Sequence, residues 1–244
     1  MRRFYTPKNN FKEKAITLDS DETRHLQNVL RLSEGEKVRV FDGAGHEFLC
    51  VIEKIEKRRT TLKIIEEISP NVPESDLYLN LAVSLTKGDK FDLVIQKSVE
   101  LGVTKFAPII TKRCDVKLKN TERKLERWQK IIIESSKQCG RAKLMQIENP
   151  TNFEEFIKIS APQRLSGEVF LLFSERAGEN FSNIKSTKKI TAVIGSEGGW
   201  EDSELEFAKE KDFLIITLKG RILRAETATI SIAAILQNRF GDLN

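Results

Sequence analysis

Beyond residue 76 the chain alternates short apolar runs with stretches whose apolar positions recur at helical spacing, and this alternation restricts the fold more than any other feature. LYLNLAVSL, KFAPIIT, EVFLLFSE, KITAVIGS and FLIITL read as buried strands, and KLMQIEN as an extended segment. FDLVIQKSVELG, TERKLERWQKIIIESSKQCG, NFEEFIKI, EDSELEFAKEK and ETATISIAAILQNRF read as helices between and after them. Strands that alternate with helices bury both faces of their sheet, so the expectation is an α/β fold with a mainly parallel sheet and helices on both faces. In the second helix Leu125, Trp128, Ile132 and Ser136 share one face, which turns Arg123, Lys124, Arg127, Lys130 and Lys137 toward solvent and makes Trp128 a core residue.

The first 70 residues follow a different rule. VRVFDGAGHEFLCVIEKI places two alternating runs around Asp42-Gly43-Ala44-Gly45, and TTLKIIEEI supplies a third strand, as in a small barrel-like module. DSDETRHLQNVLRL predicts a short helix capped by Asp21 or Ser20, with Leu26, Val29 and Leu30 as its apolar stripe. SPNVPES, residues 69–75, is the Pro/Ser-rich break between the two patterns, so the expected domains are 1–72 and 73–244.

Composition narrows the chemistry. With 244 residues and 39% hydrophobic content the chain can bury one or two cores without metals or disulfides. Cys50, Cys114 and Cys139 are odd in number and form no CxxC pair, which suits reduced, cytoplasmic thiols. His25 and His46, the two histidines, both lie in the N-terminal module, which disfavours histidine-based triads and metal sites. No apolar segment follows the arginines of MRRFYTPKNNFKEK and none reaches about 18 residues, so a soluble protein without membrane contact is expected. The net charge of +5 is unevenly placed. Between Thr111 and Lys143 eleven basic residues, Lys119 among them, face four acidic ones, giving that strip +7 and the rest of the chain −2. A solvated helix face and a polyanion footprint account for such a strip equally well.

Ligands of open α/β sheets sit beyond the carboxyl ends of the strands, which directs attention to three loops. After Val193-Ile194 comes Gly195-Ser196-Glu197-Gly198-Gly199-Trp200, then a helix start in which Ser203 and Glu206 fit a capping box. Three glycines in five residues let backbone approach a ligand closely, although a tight strand-to-helix turn would use them too. The loop is neither GxGxxG nor a phosphate loop nor a nucleophile elbow, which disfavours a nucleotide-dependent oxidoreductase. After FLIITL, the segment LKGRILRAETAT sets Arg221, Arg224 and Glu226 just before a helix; such groups pair with one another or face a polar ligand. Capping is the plainer role for Glu226 and Thr227.

GSEGGWEDSELE followed by LKGRILRAETATISIAAILQ resembles the C-terminal signature of the ribosomal RNA small subunit methyltransferase E family. MRRFY, HLQNVLRL, the DGAG hairpin, IQKSVELGV and ERWQKIIIESSKQCGR occur in family order as well, so the resemblance spans nearly the whole chain. Two positions depart from it: the family usually has proline at Ser196, and leucine-glycine in place of Leu218-Lys219.

The resemblance implies a SPOUT-type domain whose C-terminal part forms a trefoil knot, preceded by a PUA-like β-barrel domain that binds RNA. Alternation alone would give an unknotted doubly wound sheet. It further implies S-adenosylmethionine held among three loops, 172–178, 195–199 and 218–227, with Leu172, Glu175, Gly195, Glu197, Gly198, Gly199, Leu218, Gly220, Ile222, Leu223 and Thr227 as its contacts, in a homodimer without metal. The implied reaction is methylation at N3 of a uridine in the decoding region of 16S ribosomal RNA. Arg224, with Arg221 as second choice, is expected to stabilise charge on the uracil, and Glu226 or Glu197 to accept the proton. The expected partner is ribosomal RNA or the small subunit, contacted by Arg2, Arg3, Arg31, Lys112, Arg113, Arg123, Arg127 and Arg141. A non-catalytic RNA-binding or ribosome-assembly protein is the alternative that the basic strip supports equally well.

Overall fold

The structure, a computed structural model, describes residues 1–117, 120–163, 165–176, 178–184 and 187–243; Lys119 of the basic strip and position 177 of the first expected loop lie outside them. The chain divides into two compact units, Met1–Glu74 with Ile133–Leu144, and Ser75–Ile132 with Met145–Asn244.

Among the described residues of the first unit the strands are β1 (Arg3–Tyr5), β2 (Phe11–Lys12), β3 (Ala15–Leu18), β4 (Lys37–Phe41), β5 (Glu47–Ile55) and β6 (Thr60–Ile68), in the sheet order β1-β4-β5-β6-β3-β2. The β1–β4 pair is parallel and the other pairs antiparallel. The β4–β5 turn forms where expected: Asp42 Oδ1 accepts from the amides of Ala44 (2.7 Å) and His46 (3.1 Å), and Gly43 and Gly45 supply the positive φ of 80° and 110°. Phe4, Ile16, Leu18, Val38, Val40, Cys50, Ile52 and Leu62 fill the core, and burial pushes the Cys50 thiol up to about 12. Helix α1 (Ser20–Arg24) is capped by Asp19, whose Oδ1 accepts from Asp21 and Glu22 at 2.9 Å, not by Asp21 or Ser20. It continues as a π-helical turn, His25–Val29. The wider turn shifts the phase of the stripe, so Leu26 is buried while Val29 is 66% exposed.

Two arginines expected to contact phosphate are instead structural parts of this unit. Arg3 donates to Glu47 at 2.8 Å and to the carbonyls of Ser136 (2.7 Å) and Arg141 (2.8 Å), with its guanidinium 4.1 Å from the centroid of the Phe41 ring. Arg141 is a fork on Glu74, with its closest contact at 2.6 Å. Lys137, expected in solvent, donates to Glu22 at 2.8 Å and to Glu134 at 3.1 Å. Burial opposes the charge of Lys137, but these two carboxylates outweigh it and hold the ammonium above the usual lysine range. Because the Glu47 side chain is fully buried, with Arg39 at 3.7 Å its one other cation among the described residues, Arg3→Met is expected to destabilise this unit by about 3 kcal/mol. Urea denaturation followed by circular dichroism measures it, and an unchanged midpoint would refute the role given to Arg3.

In the second unit the described strands are β7 (Tyr78–Ser84), β8 (Lys105–Ile110), β9 (Gln146–Ile147), β10 (Thr151–Asn152), β11 (Val169–Phe173), β12 (Glu179–Asn180), β13 (Lys189–Ile194) and β14 (Leu214–Thr217). They pair in the order β10-β8-β7-β13-β11-β14-β12, with β9 also on β8, and every pair is parallel. The helices are α2 (Lys90–Glu100), α3 (Thr121–Cys139, of which the part up to Ile132 belongs to this unit and the rest to the first), α4 (Phe153–Ser160), α5 (Asp202–Glu210) and α6 (Ala225–Phe240). Strand alternation assigns the faces: Ala82, Ala107, Ile109, Phe170, Leu172 and Val193 pack against Phe153 and Phe156 of α4 and Ala208 of α5. Phe106 points the other way onto Phe91 of α2, at a ring distance of 5.7 Å. Trp128 is 3% exposed, in the core as its spacing requires.

The path near the C-terminus departs from a simple doubly wound sheet. β12 belongs to the connection between β11 and β13, yet it pairs with the outer edge of β14, and α6 then returns to pack on α2 and β13. That connection therefore passes around β14, the arrangement a C-terminal trefoil knot requires. The crossing is tight: a Cβ on Gly178 would lie 2.7 Å from the carbonyl carbon of Ile216 and 2.8 Å from the amide of Thr217.

Candidate active site

Three strands, β11, β13 and β14, end side by side, and the loops that follow them enclose a cavity of about 740 Å³. Small-ligand sites occupy about 300–1,000 Å³. Phe173, Ser174 and Glu175 line it from the first loop, Ile194 to Trp200 from the second, and Leu218 to Leu223 from the third. Ala225, Ala228, Ser231, Ile232 and Ile235 of α6 close the remaining side.

Trp200, 1% exposed, is the post on which two of these loops hang. Its indole N–H donates to the Phe173 carbonyl at 2.8 Å, its own carbonyl accepts from Arg176 at 2.6 Å, and its ring packs on Phe153 at 4.9 Å. The glycines are required by this packing. A Cβ on Gly195 would come 2.8 Å from the Trp200 ring, one on Gly198 would come 2.9 Å from Arg113 Cβ, and Gly199 holds φ +70° directly against the Glu175 carboxylate. Ser196, at the position where proline was expected, donates its hydroxyl to the Arg113 carbonyl at 3.0 Å, a bond proline cannot make. Helix α5 starts two residues earlier than its Ser203/Glu206 pattern suggests. Its N-cap is Glu201, whose amide donates to Glu204 Oε2 at 3.0 Å.

Charge is arranged around Lys90 in the first turn of α2. Its ammonium bonds Glu197 and lies 3.6 Å from Glu226 Oε1, while Glu226 Oε2 is buried with no hydrogen-bond partner among the described residues. The hydrogen bond that its ammonium donates to Glu197 raises Lys90 above the usual lysine range. Arg224 is the N-cap of α6: its carbonyl accepts from Ala228 at 2.8 Å and its side chain is exposed beside the cavity residues Leu223 and Ala225.

Of the expected donor contacts, Glu175, Gly195, Glu197, Gly198, Gly199, Leu218, Gly220, Ile222 and Leu223 line this cavity, as does Arg221. Two do not. Leu172 is fully buried in the core beneath α4 and α5, because its place on β11 turns it to that face. Thr227 is exposed on the first turn of α6, where the cavity-facing positions are 225 and 228. Glu226 lies one ion pair behind the lining, across Lys90. No local pattern marks Lys90 or Arg176 in the sequence, because their partners are 107 and 24 residues away. Of the basic residues, Lys112 donates to Ser203 at 2.9 Å and Arg113 to the Gly198 carbonyl at 3.2 Å, so both brace the second loop while remaining exposed. Arg2, Arg31, Arg123 and Arg127 are exposed, Arg31 at φ +53°.

Residues 73–237 match the family described as RNA methyltransferase domain, and residues 18–65 match the RNA methyltransferase PUA domain. The chain is 35% identical over 226 residues to ribosomal RNA small subunit methyltransferase E of Synechocystis, covering 91% of this chain and 73% of that relative. With the enzyme of the same name from Buchnera aphidicola it shares 33% identity, over 94% and 92% of the two chains. The crystal structure of a ribosomal RNA small subunit methyltransferase E from Neisseria gonorrhoeae bound to S-adenosyl methionine superposes with a TM-score of 0.89 at 33% identity, covering 100% of each chain.

Proposed function

The chain belongs to the ribosomal RNA small subunit methyltransferase E family, and from that premise we propose that it transfers a methyl group from S-adenosylmethionine to N3 of a uridine in the decoding region of small-subunit ribosomal RNA. The observation that carries this reading is the cavity at the ends of β11, β13 and β14, built from glycine backbone and apolar side chains and rimmed by arginine and glutamate. The cavity suits the donor: its volume is in the range of small-ligand sites, and its glycines keep backbone amides within reach of a ligand where any side chain would collide with Trp200, Arg113 or Glu175. When bound, S-adenosylmethionine supplies an electrophilic methyl on a sulfonium sulfur, which departs with the bonding electrons as N3 attacks.

The hard step is loss of the N3 proton, which puts negative charge on the uracil oxygens. Arg224 is exposed at the cavity mouth without a partner among the described residues, so its guanidinium is free to donate to a uracil carbonyl as that charge grows; Arg221, in the lining, is the second donor. Glu197 lines the cavity and accepts the proton. Glu226 acts from behind, holding Lys90 and through it the orientation of Glu197.

The enzyme works as a homodimer in the cytoplasm, where its ribosomal substrate is. Supporting this are Ile222, 84% exposed, and Leu223, Ile235 and Leu93 at 37–41%, apolar side chains on the third loop, α6 and α2 that a second subunit would cover. Arg2, Arg31, Lys112, Arg113 and Arg123 provide phosphate contacts.

Incubation with tritiated S-adenosylmethionine and small subunits from cells lacking the gene tests the reaction. Label is expected in a nucleoside that co-elutes with 3-methyluridine after digestion. Label in another nucleoside would refute the N3 assignment, and no transfer to naked RNA or to subunits would leave an RNA-binding protein.

A further inference from the structure

At the carboxyl end of β7, the turn Leu85–Asp89 and the first residues of α2 border a second cavity, of about 390 Å³, that the start of α3 completes. Its apolar floor is Phe91 and Trp128, both 3% exposed, with ring centroids 5.1 Å apart. Thr86 lines it, 8% exposed, with a hydroxyl that has no hydrogen-bond partner among the described residues. Buried hydroxyls are rarely left unpaired, so an orphan in a cavity wall marks a place for a ligand. The N-cap of α2, Asp89, makes no side-chain capping bond among the described residues, which leaves the positive end of this 11-residue helix facing the same space. On the rim, Arg127 (61% exposed) pairs with Asp89 and Asp92, Lys87 (67% exposed) pairs with Asp115, and Lys124 also lines the cavity. Asp89 and Asp115 are exposed and such pairs contribute little, so Arg127 can exchange Asp89 and Lys87 can exchange Asp115 for a phosphate, while Asp92, 18% exposed, keeps Arg127 in place.

The cavity shares no lining residue with the glycine-lined one, yet the two flank one helix terminus: Lys90, next in sequence to Asp89, bonds Glu197 in the other cavity. We propose that this second cavity is an RNA subsite that takes a single nucleotide neighbouring the methylated uridine. The base lies over the Phe91–Trp128 floor, the Thr86 hydroxyl hydrogen-bonds its edge, and Arg127 and Lys124 hold its phosphate. The subsite rests on the RNA methyltransferase reading and adds to it a specificity element outside the reacting centre.

Thr86→Val tests it without altering charge, and Thr86→Ser restores the hydroxyl. Affinity for small subunits, measured by filter binding, is expected to weaken about threefold to tenfold in Thr86→Val and to return in Thr86→Ser. The KM for subunits should rise by the same factor while kcat and S-adenosylmethionine affinity stay within twofold. Arg127→Gln is expected to lower the slope of log affinity against log salt by about one. Thr86→Val binding subunits as the wild type does would overturn the subsite, whatever the transfer assay gives. If the wild-type protein binds subunits but transfers no methyl, the methyltransferase reading fails, and the Thr86 variants still decide by affinity alone.

Discussion

A Gly178→Ala protein is expected to lose about 3 kcal/mol of stability and, with it, all measurable binding of S-adenosylmethionine. The added methyl would meet backbone, not side chain: the carbonyl carbon of Ile216 at 2.7 Å, the amide nitrogen of Thr217 at 2.8 Å and the carbonyl oxygen of Ile215 at 2.9 Å. No rotamer change relieves such a clash, so either the 174–184 segment lifts off β14 or β14 shifts. Lifting removes the β12–β14 pairing that begins one residue later, at Glu179 opposite Ile216. Shifting displaces Leu218 to Leu223, a wall of the cavity proposed for the donor. Gly167→Ala is the control. That glycine has a positive φ, +75°, which Gly178 does not, but no atom of the described residues lies within 4 Å of its Cβ position, so the cost should be about 1 kcal/mol and donor binding should survive. Urea denaturation and calorimetric titration measure both effects, and a Gly178→Ala protein with wild-type midpoint and affinity would contradict the crossing.

Arg224→Ala is expected to lower the single-turnover methylation rate by about 10²–10³-fold while S-adenosylmethionine affinity stays unchanged. The side chain is exposed at the helix N-cap and lies outside the cavity lining, so the donor does not depend on it. Its proposed role begins only when the uracil carbonyl becomes anionic, and an interaction confined to the transition state appears in the rate and not in ground-state binding. The pH profile carries the sign. Without the guanidinium the N3 proton is held more tightly, so the deficit is largest near neutral pH and narrows as alkaline pH removes that proton unaided. Glu226→Gln should give a smaller loss, because the role proposed for Glu226 runs through Lys90. Unchanged rates in both variants would remove Arg224 and Glu226 from the mechanism.

Much of this architecture is legible in the chain because local physics dictates it. The strands and helices after residue 76 have burial patterns strong enough to override context, and Trp128 is core for the same reason. The Asp42–Gly45 turn is legible because its hydrogen bonds close within four residues. The failures have long-range or fine-grained causes. β1, β2 and β3 are two to four residues long, too short for alternation to register. The π-helical turn at His25–Val29 breaks the 3.6-residue period on which the Val29 assignment rested. Arg3, Lys137 and Arg141 look like solvent-facing cations in sequence because the carboxylates that claim them, Glu47, Glu22 and Glu74, are 44, 115 and 67 residues away. The site divides the same way: the glycines and Arg221 announce themselves by density, whereas Lys90 reaches Glu197 and Glu226 only through the fold.

Methylation at N3 removes the hydrogen-bond donor by which uracil pairs with adenine, so a reverse transcriptase halts at the modified base. Primer extension along small-subunit ribosomal RNA from cells with and without this gene is therefore the most direct test of the central claim. Strong arrest is expected at a single uridine of the decoding region in cells that carry the gene, absent without it and restored by the wild-type chain but not by Arg224→Ala. An identical stop pattern in both strains would contradict the assignment.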